Sequence, residues 1–88
     1  MKINEIIYTP TFKKAFHRFP KDIQTEAIVK LSLFRKNAFD PKLKTHKLKG
    51  KFKNYYSFSI SYAHRIVFRF IQKDKVLLVD CGDHSVYR

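Results

Sequence analysis

Two runs of strict alternation, separated by a connector too short for anything but a reversal, set the tightest limit on how this chain can fold. In residues 55–62, Tyr56, Phe58, Ile60 and Tyr62 alternate with Tyr55, Ser57, Ser59 and Ser61. In residues 65–71, Ile66, Phe68 and Phe70 alternate with Arg65, Val67, Arg69 and Ile71. Successive side chains of a strand point to opposite faces, so each run predicts a half-buried strand with one aromatic-rich side. Only Ala63-His64 lies between them, which predicts an antiparallel hairpin. Gln72-Lys73-Asp74-Lys75 then reads as a second turn, and residues 76–79 (VLLV), apolar on both faces, as a central strand. The tail CGDHSVYR closes the chain.

The first half obeys a different period. Residues 3–8 (INEIIY) read as a short strand, and Thr11 as the N-cap of a first helix. Phe12, Ala15, Phe16 and Phe19 fall at i, i+3, i+4 and i+7, one apolar stripe, and Pro20 ends that helix. A second helix is predicted from Lys21 to about Lys36, with Asp22 near its positive end, Arg35 and Lys36 near its negative end, and Ile23, Ala27, Leu31 and Phe34 inward. Asn37 to Pro41 reads as a turn. The expected architecture is a two-layer α+β domain: an N-terminal strand, a helical hairpin, then a three-stranded antiparallel meander, all within one domain over residues 1–88.

A chain of 88 residues buries only roughly 60–65% of its unfolded surface, so each large ring counts, and nine Phe supply much of the core. Charge is the other constraint. Nineteen Lys and Arg against seven Asp and Glu give +12, an excess that favours a polyanionic partner. No apolar run approaches the about 18 residues of a membrane span. Ile6-Ile7-Tyr8 falls short of the about 7–15 apolar residues of a signal peptide. A single Cys81 rules out an intrachain disulfide and a Cys-pair zinc site, and no metal-ligand spacing joins the four histidines. A cytoplasmic protein without metal or cofactor is expected.

Residues 41–53 (PKLKTHKLKGKFK) carry six lysines and no acid. Such a run belongs on the surface, as a solvated charge run or, joined by Arg65, Arg69 and Arg88, as a phosphate-binding face. Arg65 and Arg69 sit four apart on one strand, hence on one face, either as a basic floor or as two solvated arginines. His17 reads as a surface residue beside the first helix's stripe, and His64 as a turn residue. His46 lies within the lysine run, and His84 follows a buried strand, a good place to hold an exposed side chain on rigid support. An ordinary polar loop residue accounts for either one taken alone. Tyr55 and Tyr87 could stack on exposed bases or simply pack.

Three features recur in order: His46-x-Leu48-x-Gly50 before the second strand, His64-Arg65-Ile66-Val67-Phe68 opening the third, and Gly82, His84 and Tyr87 at the end. Together, over essentially the whole chain, they resemble the RelE/ParE superfamily of bacterial toxin–antitoxin toxins, in particular its RelE/YoeB/YafQ-like mRNA interferases. The resemblance implies a bacterial, cytoplasmic toxin, monomeric or held in a hetero-oligomer by a cognate acidic antitoxin. It also implies cleavage of mRNA in the ribosomal A site, against 16S rRNA, without metal. Residue by residue it carries over His84 for proton transfer, Arg65 for the scissile phosphate and His46 as a further catalytic histidine. Lys44, Lys47, Lys49, Lys51, Lys53 and Arg69 would then hold RNA, and Tyr87 would stack on a base. The alternatives within the same resemblance are a non-catalytic ParE-like inhibitor of DNA gyrase and a weakly toxic RNA-binding relative. The YYSFSI strand carries serines where some relatives place further charged catalytic residues.

The chemistry explains these residue types. RNA is cut without metal when its 2′-OH attacks the adjacent phosphate, which needs a base, an acid and positive charge on the phosphorane. Histidine titrates near neutrality and can act as either acid or base. Arginine offers a permanent, forked charge to phosphate oxygens.

Overall fold

The two alternating runs form adjacent antiparallel strands in the computed structural model, which describes residues 1–83. The elements are β1 (Glu5–Tyr8), α1 (Pro10–His17), α2 (Lys21–Lys36), β2 (His46–Lys47), β3 (Tyr56–Ser59), β4 (His64–Gln72) and β5 (Lys75–Asp83). They make one sheet in the order β1-β5-β4-β3-β2, with β1 parallel to β5 and every other pairing antiparallel. The α+β class, the helical hairpin and the meander are as expected. The meander gains a strand, because His46 and Lys47 pair with Ser57 and Tyr56 inside the lysine run. The run of residues 76–79 is part of a longer β5, interior between β1 and β4 rather than at the middle of the sheet.

Both helices cover one side of the sheet. Phe12, Ala15, Ala27 and Phe34 pack there against Phe58, Ile66, Phe68, Val76, Leu78 and Cys81. Phe34 is the centre: fully buried, its ring stacks on Phe58 at 4.6 Å and meets Phe68 edge-on at 4.9 Å. Each such aromatic pair adds about 0.5–1.5 kcal/mol beyond the area it hides.

The capping residue is Thr9, not Thr11. Pro10 occupies the first helical position, where its fixed φ suits a helix start, so the cap falls one residue before it. The Thr9 hydroxyl accepts from the Phe12 N–H at 3.1 Å and donates to the Leu78 carbonyl at 2.8 Å, tying α1 to β5. That tie lies at a bulge. Val67 pairs with Asp80 but Phe68 with Leu78, which leaves Val79 as an extra residue. The bulge changes the parity of β5, so Cys81 joins Val76 and Leu78 under the helices while Asp80 turns away. Were the strand regular through Val79, alternation would set the Asp80 carboxylate in the apolar core, a costly burial.

Tyr62, expected to continue the inward face of its strand, is instead 93% exposed. Pairing stops at Ser59. The chain then reverses through Ser61, Tyr62 and Ala63, closed by the Ile60 N–H donating to the His64 carbonyl at 2.8 Å. Tyr62 is at the apex of this turn, and His64 begins β4 rather than completing the connector.

The lysine run has a skeleton of its own. Two 3-10 turns, Pro41–Leu43 and Gly50–Phe52, flank β2, and Leu43 and Leu48 are buried while the lysines stay exposed. No helix among the described residues is long and apolar enough to cross a membrane.

Candidate functional site

The side of the sheet away from the helices gathers the chemistry. Strand pairing aligns His46, Ser57, Val67 and Asp80 in one cross-strand row, and Ser59, Arg65 and Gly82 in the next. Arg69, opposite Leu77, stands one row further on the other side. Alternation along β4 puts Arg65, Val67 and Arg69 on this helix-free face, as the sequence implied. With strands about 4.8 Å apart and about 3.3 Å per residue, His46 and Arg65 attach roughly 12 Å from each other on one surface. Long side chains can approach a single phosphodiester from two such positions. The floor between them is firm: Val67 and Ser57 are almost completely buried, although Val67 lies outside the helix-side core.

The His46-x-Leu48-x-Gly50 motif is legible as a mounting. His46 faces the open side opposite Ser57, and Leu48, two residues on and 7% exposed, anchors the segment. Gly50 has φ +70, a left-handed conformation that a side chain would strain, and starts the 3-10 turn that reverses the chain. Upstream, Lys44 takes φ 53 at the end of the preceding turn. Its carbonyl accepts from His46 Nδ1 at 3.1 Å. A neutral His46 bonded this way carries its lone pair on Nε2, free to accept a proton.

Arg65 is half-buried and Arg69 exposed. Opposite Arg65 stands Gly82, with no side chain to crowd the guanidinium. The six lysines of the run do not form one patch. Lys47 pairs with Tyr56, so it falls at the edge of the helix-covered side, whereas Lys44 borders His46. Lys49, Lys51 and Lys53 surround the Gly50–Phe52 turn, and Lys51 Nζ lies 5.3 Å from the Phe52 ring centre. None of the six is ion-paired among the described residues. Asp40 accepts from the Lys42 N–H at 2.9 Å and Glu26 pairs with Lys30 at 2.8 Å.

His84 and Tyr87, with Arg88, lie outside the described residues. His17 is exposed, as expected. His64 stays on the helix side: its ring meets Phe19 edge-on at 5.3 Å, and its Nδ1 is 2.9 Å from Ser61 Oγ. It therefore does not join Arg65. Asp80 is the residue that sequence reading missed on this face. Its Oδ1 accepts from the Cys81 N–H at 2.9 Å, and only the bulge, which period-two reading cannot foresee, brings it there. Behind it, burial above all, with the Asp80 charge adding and Arg18 opposing, pushes the Cys81 thiol up to about 12.

No family model and no curated protein sequence matches the chain. Solved structures do. The YoeB/ParE toxin from Agrobacterium tumefaciens superposes with a TM-score of 0.76 at 19% identity, over 92% of this chain and 99% of that one. A conserved hypothetical protein of Helicobacter pylori gives 0.71 at 26% identity, over 92% and 94%. A chain of the YoeB–YefM complex from Staphylococcus aureus gives 0.71 at 23% identity, over 96% and 99%.

Proposed function

From a chain with the fold of the RelE/YoeB toxin superfamily, we propose a toxin of a type II toxin–antitoxin system that cleaves mRNA on the ribosome without metal. The observation that carries the reading is the meeting of His46, Arg65 and Arg69 on the helix-free face of the sheet.

The RNA strand lies across that face. His46 Nε2 takes the proton of a 2′-OH as its oxygen attacks the adjacent phosphorus, and Arg65 bonds the oxygens of the phosphorane. The bond from phosphorus to the 5′-oxygen breaks, and His84 supplies the proton to that oxygen. The products are a 2′,3′-cyclic phosphate and a 5′-OH end. Lys44, Lys47, Lys49, Lys51, Lys53 and Arg69 bind flanking phosphates or 16S rRNA, and Tyr87 stacks on a base. A cognate antitoxin, acidic and folding as it binds, neutralises the +12 charge and covers the face.

Induced expression of wild type beside Arg65→Ala and His84→Ala, with mRNA 5′ ends mapped, tests this. Growth arrest with new cleavages is expected for wild type, and each variant should lose about 10²–10³ in cleavage rate. Arrest that survives both substitutions, with no new 5′ ends, would instead point to gyrase inhibition.

A further inference from the structure

Next to the helix-free face, a cleft of about 420 Å³ opens beneath the β3–β4 turn, lined by Lys30, Lys42, Lys44, Ser59, Ser61 and Tyr62 among others. That volume lies at the small end of ligand sites, the scale of one nucleotide unit rather than a protein helix. We infer that this cleft is a single-stranded RNA subsite, in which Tyr62 stacks one base and Lys42 and Lys44 hold its phosphate. The inference rests on the proposed function and extends the substrate's path beyond the cleavage point.

Four observations converge. Tyr62 is 93% exposed at a turn apex, so its ring is presented to solvent. An aromatic ring held out over a basic groove is the usual platform for an unpaired base, and it accepts any base. Second, no acid among the described residues lines the cleft. Third, Lys30 is fixed: its Nζ donates to Glu26 Oε2 at 2.8 Å and to the Ile60 carbonyl at 2.9 Å. An ammonium has three protons, so one remains for a phosphate oxygen without further ordering of the side chain. Fourth, the cleft continues the proposed active face, because Ser59 lines it and pairs with Arg65, while Lys44 carries the carbonyl that holds His46. A strand leaving Arg65 over Ser59 arrives between Lys44 and Tyr62.

The test is fluorescence anisotropy with a short 5′-labelled single-stranded RNA and the full chain, in wild type, Tyr62→Ala, Tyr62→Phe, Lys42→Gln/Lys44→Gln and Arg65→Ala. Tyr62→Ala is expected to weaken binding about tenfold and Tyr62→Phe to keep wild-type affinity. The double lysine variant should lower the salt slope by about 0.7 for each phosphate that is no longer neutralised. An unchanged melting temperature for Tyr62→Ala checks that the fold is intact. If Tyr62→Ala binds like wild type while Arg65→Ala does not, the subsite is wrong and the proposed function stands. If wild type does not bind the RNA, the subsite falls, and the mapping of mRNA 5′ ends decides the proposed function separately. An oligoglutamate peptide that loses as much affinity on Tyr62→Ala as the RNA does would make the cleft a protein-docking site and overturn the inference.

Discussion

The two sides of one sheet are built from the same strands and answer to different rules. Under the helices, Phe34, Phe58, Ile66, Phe68 and Leu78 are fully buried and interlocked, and their identities are set by volume. On the other side, positions one residue away carry Ser57, Ser59, Arg65 and Arg69, and there Ser57 is sealed with Val67, Ser59 and Arg65 are half-buried and Arg69 is exposed. A half-turn of the backbone thus separates residues chosen for packing from residues chosen for what they can touch. Stability and activity should accordingly fail independently.

The sharpest way to break that division is Phe34→Ala. Removing a fully buried ring from the centre of the stack should cost about 3–5 kcal/mol, a large part of the roughly 5–15 kcal/mol such domains possess, as read by urea unfolding. Arg69→Ala, by contrast, removes an exposed side chain and should leave the unfolding free energy within about 0.5 kcal/mol of wild type. A large loss of stability there would show that the two faces are not independent. Thr9→Ala tests the seam between them, since its hydroxyl both caps α1 and bonds Leu78 at the bulge. About 1–2 kcal/mol should be lost, read by the same titration. A further test of the helix-covered side concerns Cys81. Its thiol is held protonated up to about 12, above its value in the unfolded chain, so the associated stability is complete below the unfolded thiol's range near pH 8.5. It is lost as pH climbs from there through 12. A thiol reagent at pH 8 should leave native Cys81 unmodified and label it in urea; labelling of the native protein would show that the helix-covered side opens readily.

Much of this was legible in the sequence because it follows from period. The hairpin strands, α2 from Lys21 to Lys36 and the placing of Arg65 and Arg69 on one face all come from regular spacing. What stayed hidden breaks the period. The Val79 bulge reverses Asp80 and Cys81, and the turn at Ser61 throws Tyr62 outward although it sits in phase with Phe58 and Ile60. The cap is displaced for a local reason: Pro10 shifts the helix start, so the hydroxyl of Thr9 does what Thr11 was expected to do. In the candidate site, Arg65 and Arg69 could be placed on one face, whereas His46, Asp80 and the cleft at Tyr62 needed coordinates, because His46 comes there through the pairing of β2 and the other two depend on an irregular residue nearby.

Val79 behaves like an inserted letter in a text read two at a time, and the bulge is the mark that tells the reader to skip it. Read without that mark, Val79 would stand opposite Val67, Asp80 opposite Ile66 and Cys81 opposite Arg65. A thiol would then replace the bare glycine beside the guanidinium, and a carboxylate would sit where the helices expect hydrocarbon. Striking out the letter together with its mark leaves the message unchanged, since Asp80 would still meet Val67. Related chains are therefore free to lose both at once, whereas losing either one alone rewrites every word that follows.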